Sequence, residues 1–389
     1  MEDAATLRNA LIDGLKQNQC ITDARVEAAF RAVPRHLFVA DVPLEQAYAD
    51  DAIITKTIED VPVSSISQPA MVAVMLEQLA LREGDRVLEI GAGTGYNAAL
   101  MAQLVGASGH VTTMDIDEDI VAQTKKNLEG AGIANVQVIC ADGGFGYAPN
   151  APYDAIIATV GIWDIPPTWL EQLRQGMRLV APLMLNSFQR SIAFRRVDNQ
   201  LISASIQRCG FLRLRGQFQS SEQFIDLGDA GISVDDTARV DAIAVKALLA
   251  QTPRQIQIAE QGEELRNFLY YLGLRGELVF ILYADKEKFG FSFARGLSAG
   301  TSSMVLVTQA DYTTPLSNQI SVYGDDSASD RFQVLLEEWT TRGRPQLDLA
   351  QITAAPLGTF LNDSNKLVLR KRWMEYEIDF QNTRNQVNR

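Results

Sequence analysis

The stretch "VLEIGAGTGYNAA", residues 87–99, decides the fold. An apolar run ends at Ile90, glycines follow at alternate positions (Gly91, Gly93, Gly95), and a helix-forming segment opens at Tyr96. Glycine lets a backbone turn tightly and lets a ligand approach main-chain atoms. The spacing is G-x-G-x-G, not the G-x-G-x-x-G of dinucleotide sites, so no pyrophosphate needs to be cradled. Asp115 closes the next apolar run, where a carboxylate can accept hydrogen bonds from both hydroxyls of a ribose. Asp142, in "CADGGFGY", either reaches an adenine edge or forms an Asp-Gly turn. Glu89, two residues before Gly91, either meets the ligand or bonds to the loop's own amides.

Outward from this loop, "RVLEI" (86–90), "HVTTMD" (110–115), "VQVIC" (136–140), "DAIIAT" (154–159) and "RLVAP" (178–182) read as buried strands. "YNAALMAQLVG" and "DIVAQTKKNLEGAG", between them, carry helical spacing and end in glycine. Strict alternation implies α/β architecture: a doubly wound sheet, Rossmann-like, behind an N-terminal helical segment. "SIAFRRV" and "FLRLRG" add expected strands, as an antiparallel edge. The Gly- and Asp-rich "DLGDAGISVDD" (226–236) marks a boundary. The expected division is 1–217 for the ligand-binding domain, 218–238 for a linker, and 239–389 for a smaller α+β accessory domain.

Composition narrows the chemistry. The chain has 389 residues, 47% hydrophobic and 21% charged, enough for two folded domains. A net charge of -13 argues against general nucleic-acid binding. The chain holds 3 cysteines and 2 histidines, which makes a disulfide framework, a metal site or histidine catalysis improbable. The acidic, amphipathic start is unlike a signal peptide, and no long apolar run reads as a membrane span, so a cytoplasmic location is expected.

Several segments together resemble the protein-L-isoaspartate O-methyltransferase family, within the class I methyltransferases. They are "AFRAVPRHLFV" (29–39), "AYADDAI" (47–53), "SSISQPAMVAVMLEQL" (64–79), the glycine loop, "YDAIIAT", "IPPTWLEQLRQGMRLVAP" and "CGFLRLRG". The resemblance covers roughly residues 5–217. It implies S-adenosyl-L-methionine as methyl donor, S-adenosyl-L-homocysteine as product, and carboxyl O-methylation of an Asp or isoAsp in a peptide or protein. A carboxylate is already ionised at neutral pH, so the reaction needs no histidine base. The resemblance also implies that Ser67 contacts the acceptor carboxylate, with Ser65 standing where the family has threonine. Ser67 could instead cap the helix that follows. Gln68 is a further candidate contact, and Ser64 reads as structural.

Two departures from the family pattern bear on substrate. "TVGIWDIPP" brings Trp163 and Asp164 near the expected substrate mouth, where Trp163 could equally be packing. The chain also continues past residue 217, like longer relatives that methylate ribosomally made precursor peptides of the lanthipeptide and graspetide type. On that ground tailoring of a precursor peptide, through an ester that collapses to aspartimide, is preferred to isoaspartyl repair. A non-catalytic S-adenosylmethionine-binding module is the reading from another class. The accessory domain would grip substrate or mediate a homodimer. Arg213, Arg215 and "RKRW" (370–373) are candidate contacts for an acidic peptide, against a plainer role as solvated strand faces.

Overall fold

A run that is apolar at every position suits a strand buried on both faces, the condition inside a parallel sheet. The computed structural model of the chain describes residues 3–186, 188–234, 239–278, 280–310, 314–360 and 366–380. A hairpin of β1 (Ile53–Ile58) and β2 (Val61–Ile66) comes first. Then follow β3 (Arg86–Ile90), β4 (His110–Asp115), β5 (Val136–Cys140), β6 (Tyr153–Ala158) and β7 (Leu173–Leu185). The strands β5, β4, β3, β6 and β7 lie side by side and parallel. The chain order reverses at β3, between β4 and β6, and leaves a crevice at the carboxyl end of β3.

The helices Tyr96–Val105 and Glu118–Gly130 connect these strands. The first is buried along nearly all its length; the second shows solvent its charged face. The N-terminal helices Ala4–Gln17 and Ala24–Ala32 are capped by Asp3 and Asp23, whose carboxylates accept from Thr6 N and Arg25 N. Phe30 of the second meets the Tyr96 ring edge-on at 6.2 Å between centroids, which fixes this helical segment against the glycine-loop helix.

Beyond β7 the sheet turns antiparallel through β8 (Phe188–Val197) and β9 (Gln200–Arg208). The chain then leaves it for a second sheet of β10 (Gln223–Asp226), β11 (Ala230–Val234), β12 (Arg254–Gln257), β13 (Phe280–Ala284), β14 (Phe293–Ala299), β15 (Ser303–Gln309) and β16 (Gln319–Gly324). It finally returns: β17 (Gln351–Pro356) pairs with β9, and β19 (Met374–Asp379) and β18 (Leu367–Arg370) extend the first sheet to ten strands.

This return revises the expected division. Residues 239–389 are not one appended unit, and the stretch 218–238 is not a linker. It already contains β10 and β11, and its last residues, 235–238, lie outside the described residues. An unpaired β9 would be an open template for association, and β17 covers it. "SIAFRRV", in β8, lies between β7 and β9 and is interior, not an edge. "FLRLRG" is extended chain joined to Gly161 by one parallel bridge, not a strand. A single apolar core runs from Leu88 and Ile90 through Phe188 to Leu265, Phe268 and Trp339, so the two sheets share an interior.

Candidate active site

The glycine loop takes its shape from contacts a side chain would prevent. Gly91 has φ +100, and a Cβ there would lie 2.8 Å from Thr159 Oγ1 and 2.9 Å from Val160 Cγ1. Gly93 has φ +52, and its Cβ would press on Ser65 O at 3.3 Å. The loop amides Gly91 N and Ala92 N donate to Met114 O at 2.9 and 2.8 Å, and Gly93 N donates to Asp115 Oδ2 at 3.1 Å. Gly95 is the N-cap of the helix that starts at Tyr96.

A cavity of about 630 Å³ opens over this loop. Its lining includes Glu89, Gly91, Gly93, Asp115, Ser65, Ser67 and Gln68. Burial pushes the Asp115 carboxyl above its ordinary value, against the pull of the Gly93 amide. Glu89 is wholly buried; Asn97 Nδ2 and Thr113 Oγ1 donate to it at 2.7 and 2.6 Å. Desolvation outweighs those bonds and pushes its carboxyl up to about 7.

The serine turn is delivered from two sides. β2 carries Ser64 and Ser65 to the cavity wall, where Ser64 Oγ accepts from Thr55 Oγ1 at 3.1 Å. Pro69 starts the helix Pro69–Leu79, whose N-cap is Gln68 without a side-chain cap bond. Ser67 therefore does not cap this helix. Asp50 does so from outside, its Oδ1 accepting from Ala70 N at 2.8 Å. Gln68 is exposed, and its Nε2 donates to Asp50 O at 3.0 Å, which fixes the turn from the solvent side.

Arg35 is a positioning residue that motif reading passed over. It is 0% exposed and donates to Ser67 O at 3.0 Å, Ala47 O at 2.9 Å and Asp51 O at 3.2 Å. Its guanidinium carbon lies 5.3 Å from the Tyr96 ring centroid. One buried cation thus ties the serine turn, the "AYADD" segment and the glycine-loop helix together. Its place in "VPRHLF" was visible in the sequence; its carbonyl partners, far along the chain, were not.

Three expected site residues are placed elsewhere. Asp142 Oδ1 accepts from Gly144 N at 2.9 Å and Oδ2 from Gln217 N at 2.7 Å. Asp142 thus closes an Asp-Gly turn and also holds the chain leaving β9 at the end of β5. Asp164 is 0% exposed and acts as a staple: it accepts from Tyr376 Oη at 2.6 Å, Trp373 N at 2.7 Å and Ile165 N at 2.9 Å. Trp163 lies against buried Lys371, whose Nζ is 5.2 Å from the indole centroid and donates to Trp163 O. Both therefore pack against the returning segment, at the turn between β18 and β19 and at Tyr376 of β19. Of the candidate cations, Arg215 pairs with Asp117 at 2.8 Å and Arg213 with Glu222 at 2.6 Å.

A sheet reversed at β3, a glycine turn there and an acidic residue ending β4 define the class I methyltransferase fold. Residues 6–219 match the family described as Protein-L-isoaspartate(D-aspartate) O-methyltransferase (PCMT), and the chain belongs to that family. A protein-L-isoaspartate O-methyltransferase of Methanosarcina mazei is 43% identical over 182 residues, which are 47% of this chain and 72% of that one. One of Methanoculleus marisnigri is 39% identical over 201 residues, 51% of this chain and 86% of the relative. A solved protein-L-isoaspartate O-methyltransferase is 25% identical, with TM-score 0.54, and covers 89% of this chain and 96% of its own. The region past residue 217 was the ground for preferring a precursor-peptide substrate. That coverage takes in most of the region, so isoaspartyl methylation is the better-supported reading.

The family consists of S-adenosyl-L-methionine-dependent carboxyl O-methyltransferases. The residues present fit that donor: a cradle a Cβ would obstruct, a ribose-competent Asp115 and a buried Glu89 share one cavity.

Proposed function

We propose that this chain methylates the free carboxylate of an isoaspartyl residue in a peptide or protein. The observation that carries this reading is the shared cavity of the glycine loop, Asp115 and the hydroxyl-bearing turn Ser65–Ser67. Gly91, Gly93 and Gly95 would hold the donor through main-chain atoms, Asp115 would accept from its ribose, and Glu89 would balance positive charge beside them. When bound, S-adenosyl-L-methionine supplies an electrophilic methyl group and departs as S-adenosyl-L-homocysteine.

The chain's own task is then to orient and to exclude water. Ser65 and Ser67 bind one oxygen of an already ionised carboxylate and leave the other to react. Neutral hydroxyls do this without the ground-state over-stabilisation of a cationic clamp. Ile66, Met71 and Val72 line the cavity beside them and keep that end dry. Orientation of this kind is worth about 7–11 kcal/mol in favourable cases. The product ester is primed for ring closure. Attack by the neighbouring backbone nitrogen forms a C–N bond, breaks the C–OMe bond and releases methanol with the amide proton, leaving a succinimide.

The test is methyl transfer to an isoaspartyl peptide and to its aspartyl twin, counted as base-released methanol. Label in the isoaspartyl peptide alone is expected. Equal label in both, or methyl that survives base, overturns the reading. Ser67→Ala should lower kcat by about tenfold or more, the scale of one lost charge-assisted hydrogen bond, and should spare S-adenosylhomocysteine affinity. Parallel loss of that affinity removes Ser67 from the acceptor role.

A further inference from the structure

A buried charge is ordinarily matched by an opposite one. Arg35 is wholly buried, yet its hydrogen bonds all go to neutral carbonyls, of Ser67, Ala47 and Asp51. Among the described residues no carboxylate pairs with it. The titratable groups that face it are Asp50, Tyr48 and Tyr96. Burial holds both phenols above their ordinary value, so they stay neutral. The Asp50 carboxylate is engaged elsewhere: Oδ1 accepts from Ala70 N at 2.8 Å and Oδ2 from Gln68 Nε2 at 3.2 Å. Arg8, which faces the same two phenols, adds positive charge to this side and cancels none.

The carbonyl of Ser67 leads from this charge to the cavity. Ser67 and Gln68 line the cavity, and Arg35 lies behind them, outside its lining. The peptide that joins the two is trans. A trans peptide points its N–H opposite to its C=O. With the oxygen turned inward to Arg35, the Gln68 N–H is turned to the cavity side. Among the described residues nothing accepts from it. This peptide unit is thus held at its oxygen by a cation and open at its hydrogen. A hydrogen bond at one end of a peptide strengthens the donor at the other.

We propose that the Ser67–Gln68 peptide is a main-chain donor to the acceptor carboxylate, with Arg35 as the positioning residue that aims and polarises it. The inference rests on the isoaspartyl methyltransferase reading. The Arg35 charge acts on the acceptor at one remove. It draws the anion into the turn but touches neither oxygen, so the reacting lone pair stays free. The substrate carboxylate is then the counter-charge of the buried guanidinium.

The test separates the amide from the side chain that belongs to it. Gln68 has φ -54, which proline matches, so Gln68→Pro removes the N–H and keeps the backbone course. Gln68→Ala removes the side chain and keeps the N–H. With the full chain and an isoaspartyl peptide, kcat/KM of Gln68→Pro should lie about tenfold or more below that of Gln68→Ala. S-adenosylhomocysteine affinity should be equal in the two. Arg35→Gln should move the acid limb of kcat, which reports the bound carboxylate, upward by about half a pH unit or more, because the anion loses a nearby cation. Glu89 and Asp115 are present in wild type and variant alike, so the difference belongs to Arg35. Arg35→Lys should restore most of the profile. Equal kcat/KM in Gln68→Pro and Gln68→Ala overturns the inference, and decides it even where Arg35→Gln does not fold. A matching loss of S-adenosylhomocysteine affinity in Gln68→Pro overturns it too, as does an unmoved acid limb in a folded Arg35→Gln. If the wild type leaves the isoaspartyl peptide unmethylated, the isoaspartyl reading itself fails and the inference falls with it.

Discussion

Glu89 is the residue where burial and charge conflict most sharply. Its folded carboxyl titrates at about 7, against an ordinary 4.5. The folded state therefore holds a proton that the unfolded state has released. Stability from this group is full below the ordinary value and is lost as pH rises from about 4.5 to about 7. Glu89→Gln keeps an oxygen to accept from Asn97 Nδ2, turns an amide N–H toward the Thr113 hydroxyl, which can accept it, and cannot titrate. Urea unfolding without donor should show the wild type losing stability relative to Glu89→Gln across that window and no further above it. A wild-type-minus-variant difference independent of pH would show that the carboxyl is not raised. At this scale the sequence was readable where the chemistry is local. Gly91, Gly93 and Asp115 could be placed because a strand-turn-helix carries its meaning within thirty residues. Asp164 and Asp142 could not, since a loop carboxylate in a cavity and one spent on buried amides look alike until the distant partners, Tyr376 and Gln217, are known.

Among elements, the hairpin of β1 and β2 stands apart from both large sheets. It forms a two-stranded sheet of its own, and Ile54, Ile58 and Val61 are exposed at 48%, 44% and 60%. Its turn residues, Glu59 and Asp60, both have positive φ (49 and 63), the geometry of a tight hairpin without the usual glycine. Buried Ile53 and Ile66 anchor its base in the core, and charge ties down the rest. Lys56 Nζ donates to Asp117 at 2.8 Å and Asp119 at 2.7 Å, and Arg215 donates to both oxygens of the same Asp117. The two cations, Arg215 foremost, hold the Asp117 carboxyl below its ordinary value. Asp117→Asn should loosen both straps: amides of residues 53–66 should exchange faster, and S-adenosylhomocysteine should leave about three- to tenfold sooner, the range for a partly buried ion pair. Unchanged exchange in the hairpin would show that the pair is decorative. The parallel strands were legible because burial on both faces writes a continuous apolar run. The hairpin was not, because its alternation is broken by an exposed, irregular register.

For the whole molecule, the decisive fact is the return of β17 to β9. It explains why the expected division at residue 217 misplaced the second unit: antiparallel pairing leaves no local mark of a partner some 150 positions away. A chain ending at residue 217 would bare the edge of β9 and the apolar faces of Phe188 and Ile192 that now meet the shared core. Such a fragment should aggregate, or unfold without a cooperative transition, in size-exclusion and near-UV circular dichroism measurements. A monomeric fragment with the full chain's sharp thermal transition would contradict this.

The same return carries a cost during synthesis. A ribosome must extrude the stretch 351–356 before the methyltransferase half can finish its outermost rung, so that half waits, incomplete, while the intervening sheet is made. Early folding of the inserted sheet would bring the two distant segments within reach, which gives the insertion a part in assembling the enzyme.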